Sequence, residues 1–438
     1  MGFFRGTSKP DAPRTAALRT ASPAANTPFA FPQPSTKPAP RLAGIPSTAD
    51  GTSPPRITTA DYALSQRLRA KLDPLTPPVI TAEDLRLAEG LHERYPEIAP
   101  ITEILDQALR IRARNLRQAG DDAAAEELLV RACALAPSNR APRLELLALQ
   151  LSRSEWPAAE QTARAALALD PDDPTALAGL GLSLMRQGRD REAREVLARA
   201  GTTEAGVLLG KVEKDLTHEA GMREQRLGSF TLKYEGEAHD AVGNEVLRIL
   251  ERHYATLTMQ FDHRPASAIP VILYTQEKFQ EASDAPSWAG GIFDNLDGRV
   301  RVPVGGLTTT LSPQTESVLL HELTHAFVAD MTNQTAPREL HEGLAQHMEG
   351  KRLDTMVPGS YLTALADGRV TGVPALYLGA LALVEYLLDQ RGQGGINELL
   401  RSMGATHNAD AACRAVYGQS FGELQEAARA RLRQRYGH

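Results

Sequence analysis

In the stretch ESVLLHELTHAFVAD, His321 and His325 stand four residues apart and Glu322 directly follows the first. On a helix, residues four apart lie one turn above each other, so both imidazoles project from one face. Leu319, Leu320, Leu323, Ala326, Phe327 and Val328 make the rest of that helix apolar, which predicts burial. Two imidazoles and a carboxylate are costly in a buried helix unless something pairs with them. A divalent metal does so. Zinc takes nitrogen and oxygen ligands in a tetrahedral shell, and two histidines at this spacing fill two of its corners. Glu322 stands where a carboxylate reaches a water on the metal without being a ligand, the place of a general base.

A third ligand must come from elsewhere in the chain. One known arrangement needs a glycine three residues, and a histidine six residues, beyond the second histidine. Val328 and Met331 occupy those positions, which excludes it. The other arrangement takes a glutamate from the next helix. APRELHEGLAQHMEG supplies one: Pro337 fits a helix start, and Glu342 lies 17 residues after His325. That distance leaves room for the loop MTNQT and a return helix. Ser312 followed by Pro313 gives the first helix its own start, serine as cap and proline at the first helical position.

HELTH followed by PRELHEGLA resembles the gluzincin metallopeptidases, in particular the bacterial peptidase-MA-like domains, whose second helix reads Trp-Leu-x-Glu-Gly-Leu-Ala. Leu340, Glu342, Gly343, Leu344 and Ala345 match that pattern, and Glu339 replaces the tryptophan. The likeness extends through PVILYTQEKF, WAGGIFDNLDGRVRVPVGG and ALYLGALALVEYLLDQRG, from about Leu227 to the C-terminus. It implies Zn2+ held by His321, His325 and Glu342, water at the fourth position, Glu322 as the base and a peptide or protein as substrate. Tyr377 matches a tyrosine in the family's following helix and is expected to donate to a developing oxyanion. Gln346, one turn after Glu342, faces the same way and could orient a ligand histidine. His341 and His347 point to other faces of that helix.

These residues need a scaffold, and the surrounding sequence reads as one. SFTLKYEG alternates Phe230, Leu232 and Tyr234 and predicts a strand; EAHDAVGNEVLRILERHYATLTMQF predicts a helix. IPVILYT is a short β-branched run and predicts a strand buried on both faces. GGIFDNLDGRVRVPVGG predicts two strands around the Asp297–Gly298 turn. An edge of that pair is expected to take an extended peptide, with Trp288, Gly290 and Gly291 shaping the cleft. The expected class of residues 211–438 is α+β and zincin-like.

Ahead of it the chain repeats. Pro137 and Pro171 stand 34 residues apart, and units at 106–139, 140–173 and 174–207 align Ala125 with Ala159 and Ala193, and Ala132 with Ala166 and Ala200. Gly120 and Gly188 fall at the turn between the two helices of the first and third units. Small residues let helices approach closely and proline stops the second helix. The pattern resembles the tetratricopeptide repeat, although Arg143 and Gln150 of the middle unit replace bulky apolar residues. The expected architecture is multidomain: an all-α array of tetratricopeptide-like repeats over 106–210, a helical lead-in over 59–105, and the α+β unit behind it. Residues 1–58 carry eleven prolines between Pro10 and Pro55 and predict a disordered tail.

Composition narrows the partners. A net charge of −6 over 438 residues offers no basic stripe for nucleic acid. Cys133 and Cys413 cannot form a disulfide framework, which favours a reducing compartment. No run of eighteen apolar residues predicts a membrane span, and MGFFRGTSKP lacks the apolar core of a signal peptide. A cytoplasmic zinc peptidase whose repeats bind a protein partner is the leading expectation. An interaction protein with an idle zinc site, or a zinc hydrolase acting on another carbonyl, are its rivals.

Overall fold

Alanines spaced by one repeat length let the helices of the N-terminal half pair closely. The computed structural model describes residues 57–72, 78–235, 240–283, 289–304 and 312–437. The predicted disordered tail lies outside them except for Ile57 and Thr58, and so does Trp288. Helices α1 (Thr59–Lys71), α2 (Ala82–Arg94) and α3 (Ala99–Gln118) lead into α4 (Asp122–Leu135), α5 (Ala141–Ser152) and α6 (Trp156–Leu167). Then come α7 (Pro174–Arg186), α8 (Asp190–Ala200) and α9 (Thr203–His218). The predicted division at 210/211 falls inside α9.

The repeat pattern has a local cause. Ala125, Ala159 and Ala193 have no exposed surface, as close helix pairing requires. The first helix of each unit ends in the same pair of bonds. Gly120 N donates to Arg117 O (3.0 Å) and Asp121 N to Leu116 O (2.9 Å); Gly188 N donates to Met185 O (3.0 Å) and Arg189 N to Leu184 O (2.9 Å). The middle unit makes them from Ser154 N to Leu151 O (3.1 Å) and Glu155 N to Gln150 O (2.9 Å). This double bond is the Schellman motif, which needs a left-handed residue. Gly120 (φ 83°) and Gly188 (φ 73°) adopt that conformation freely, whereas Ser154 (φ 57°) is forced into it.

A small mixed sheet follows. Its strands are β1 (Arg223–Leu227), β2 (Phe230–Tyr234), β3 (Ile269–Tyr274), β4 (Ile292–Asp294) and β5 (Arg299–Pro303), in the order β1-β2-β3-β5-β4. β1 and β2 pair antiparallel, β2 with β3 and β3 with β5 parallel, and β4 antiparallel to β5. Crossovers between the parallel strands run through α10 (Asp240–Phe261) and α11 (Gln276–Ser283). β5 is buried throughout, and its side chains alternate between two surroundings. Val300 and Val302 enter the main core with Leu250, Leu319 and Phe327. Arg299 and Arg301 meet acids of α8 and α9.

The helical remainder comprises α12 (Pro313–Met331), α13 (Arg338–Met348), α14 (Leu353–Met356), α15 (Gly359–Ala366), α16 (Gly372–Thr406), α17 (Ala409–Tyr417) and α18 (Phe421–Tyr436). α16 breaks at Gly392 (φ 63°, ψ −168°), a conformation open only to glycine. By length and hydropathy α16 would suffice to cross a membrane. Here Leu383, Val384 and Leu387 pack in the main core and Leu381 in a second one under α15 and α18. The chain is thus a helical repeat region followed by a region of small mixed sheet and helices.

Candidate metal centre

α12 begins as its sequence predicts: Ser312 Oγ accepts from Thr315 N at 3.1 Å, with Pro313 at the first turn. The helix carries His321, Glu322 and His325 inward, all buried. The return loop turns on two left-handed residues, Asn333 (φ 47°) and Gln334 (φ 63°). It is tied to the end of α16, where Asn333 Nδ2 donates to Gly404 O (3.1 Å) and Thr335 Oγ1 to Met403 O (3.2 Å). α13 then runs back with Glu342 on its buried face. Gly343 sets how close α13 lies to α16: a Cβ there would stand 2.3 Å from Ala380 O.

His321, His325 and Glu342 come together, each offering one ligand atom within 4.8 Å of the others. Glu342 Oε2 is 3.6 Å from His321 Nε2 and 3.9 Å from His325 Nε2. Ligand atoms on a tetrahedral zinc with bonds near 2.05 Å lie about 3.4 Å apart. The two carboxylate–imidazole separations exceed that by a few tenths of an ångström. Glu342 Oε2 is buried and accepts no hydrogen bond among the described residues. An orphaned carboxylate oxygen facing two imidazole nitrogens fits a metal ion that would satisfy all three.

Glu349 completes the set, and sequence reasoning missed it. Its carboxylate bonds His321 Nδ1 and is itself held by Ser317 Oγ (2.9 Å) and Lys351 Nζ (2.8 Å). Occupying Nδ1 leaves Nε2 as the free ligand nitrogen. The signal was available: Glu349 lies seven residues after Glu342, two turns along the same face.

The electrostatics follow from burial. Desolvation opposes charge on His321, but Glu342 and Glu349 outweigh it and lift the imidazole to about 10. His325 is held well below the usual range by burial and by His321. Burial, with Glu342 beside it, raises Glu322 to about 7, while His321 and the main chain of Phe293 oppose that rise. Gly291 backs the same side chain: a Cβ there would meet Val318 Cγ1 at 2.7 Å and Glu322 Cγ at 3.0 Å. β4, which follows Gly291, is an edge strand, as the peptide-edge expectation requires. Asp297 is buried beneath the array instead of lining that edge.

Tyr377 is buried on α16, and its hydroxyl has no hydrogen-bond partner among the described residues. Burial holds that phenol above its usual range, with Glu342 adding to the effect. Among the described residues, Gln346 makes no hydrogen bond to a ligand histidine. It is fully buried and donates to Glu342 O (3.0 Å) and Tyr377 O (2.9 Å), bracing α13 on α16. His341 stands outside the ligand group, its ring 5.5 Å from that of His325. Burial pushes both His341 and His347 down to about 4.

The family model of the tetratricopeptide repeat matches residues 150–206, most of the middle unit and nearly all of the third. No curated protein matches the chain. Tetratricopeptide repeats suggest protein interaction.

Proposed function

We propose that the C-terminal region is a zincin-like metallopeptidase of the gluzincin type, hydrolysing peptide bonds, with the helical array serving protein interaction. The observation that carries this reading is the convergence of His321, His325 and the orphaned Glu342 oxygen beside a buried Glu322. His321, His325 and Glu342 would hold Zn2+. The chemistry such an ion supplies is Lewis acidity, which makes water acidic near neutral pH and polarises a carbonyl. Glu349 fixes the ring of His321 and keeps its Nε2 free for ligation. Glu322 accepts the proton of the attacking water and passes it to the amine nitrogen as the carbon–nitrogen bond breaks. Its burial beside the ligand group keeps that carboxyl out of bulk water, in a place where it can take and return a proton. Tyr377 presents a buried hydroxyl suited to the oxygen that gains charge.

A reducing, cytoplasmic setting belongs to this reading, and both cysteines are free thiols. The repeat match favours a second reading, an interaction protein whose zinc site is idle. Glu322→Gln separates the two. As a peptidase, the variant keeps the metal content of the native chain and loses casein turnover by about 10² to 10⁴-fold. A native chain that binds metal and cleaves neither casein nor small amides supports the idle site.

A further inference from the structure

Arg299 and Arg301 take no part in the chemistry above, yet they are 2% and 0% exposed. Arg299 Nη2 donates to both carboxylate oxygens of Asp190, at 2.6 and 2.7 Å, and its Nη1 to Glu219 at 3.1 Å. Arg301 Nη2 donates to both oxygens of Asp215, at 3.0 and 2.9 Å, and also to Asp297. Lys211 Nζ lies 3.2 Å from Asp294 and 3.0 Å from Asp297. Asp190, Lys211 and Asp215 belong to α8 and α9; the remaining partners, Glu219 aside, belong to the β4–β5 hairpin. Arg186 of α7 adds a bond to Asn295 O at 2.9 Å, in the turn of that hairpin.

A flexible tether between two units would leave these charges in water. Burying them costs hydration that is recovered only when every ion is paired in good geometry. What the arrangement provides is a fixed place for the hairpin. That hairpin, with the residue before it, brings Gly291 and the main chain of Phe293 against Glu322.

We propose that the helical array clamps the β4–β5 hairpin against α12, so that Asp190 and Asp215 act as positioning residues through Arg299 and Arg301. The edge strand beside Glu322 then holds its register because the array holds it. The catalytic consequence rests on the peptidase reading; the clamp itself is read from hairpin order, which needs no turnover.

The test uses the full chain carrying Asp190→Asn or Asp190→Glu, followed by hydrogen–deuterium exchange resolved by segment and by kcat and KM on a casein-derived peptide. In Asp190→Asn, residues 292–303 are expected to exchange about tenfold faster, while 313–348 keep native protection. kcat is expected to fall about tenfold with KM within about twofold, and Asp190→Glu to recover most of the loss. Unchanged exchange over 292–303 overturns the clamp, and a loosened hairpin with full kcat overturns the positioning role of Asp190. Loosening spread evenly over the sheet and α12 also overturns it, since the network would then be general support. If Asp190→Asn fails to fold, Arg299→Lys carries the same comparison. A native chain without turnover condemns the peptidase reading alone, and exchange at 292–303 still decides the clamp.

Discussion

Glu349 is the side chain through which the metal reading meets its most local test. It holds His321 Nδ1 and is braced by Ser317 and Lys351. Removing such a support typically weakens metal affinity by about 10 to 100-fold, and Glu349→Gln is expected to do so in competition with a chelating indicator. Affinity equal to the native chain's would contradict the role. A second residue-scale expectation concerns Asp106 in the array, which burial raises to about 6. A carboxyl whose folded pKa exceeds its unfolded value stabilises the fold below about pH 4, and loses that contribution as pH rises to 6. Asp106→Asn should flatten stability between pH 4 and 6 in urea titrations; an unchanged slope would contradict this. His321 and His325 were legible as a same-face pair because helical geometry alone decides it, whereas Glu342, on the next helix, was expected from the length of the return loop and the resemblance. Glu349 and the bracing role of Gln346 were not, because they depend on which neighbour packs against α13.

Among the elements, the repeats were legible to the turn, down to the left-handed positions at Gly120 and Gly188. The middle unit departs there, with Ser154 held at φ 57°. Ser154→Gly should stabilise the array by about 1 kcal/mol, read from the urea midpoint, since glycine adopts this conformation without a Cβ clash. A loss of stability would show that the Ser154 side chain matters more than its backbone. Gly343 carries the opposite expectation. Its α-carbon faces Ala380 O so closely that Gly343→Ala must part α13 from α16, a change that costs about 1–3 kcal/mol and displaces Glu342. Native thermal stability and native metal content in that variant would contradict it. β1 escaped sequence reading because Arg223–Leu227 is an exposed, polar edge strand without alternation. β5 was recognised, but RVRVP reads as a strand with one wet face, and the structure buries both.

At the scale of the whole molecule, that buried face of β5 is where the two halves meet. The 34-residue period and the HELTH helix each announce a unit from the sequence, but neither says how the units join. The joining residues, Asp190, Lys211, Asp215, Arg299 and Arg301, resemble ordinary surface charges when read one at a time. A second junction lies at the other end of the array, where His407 Nε2 approaches Asp122 Oδ2 at 2.9 Å. The repeats therefore touch the C-terminal region at two places. That placement gains functional meaning only if the site holds its ion. Elemental analysis of the purified full chain decides this, comparing the native protein with His321→Ala and Glu342→Ala. The account predicts one zinc per native chain and a loss of about tenfold or more in affinity in each variant. No zinc in the native chain, or full zinc in both variants, would contradict it.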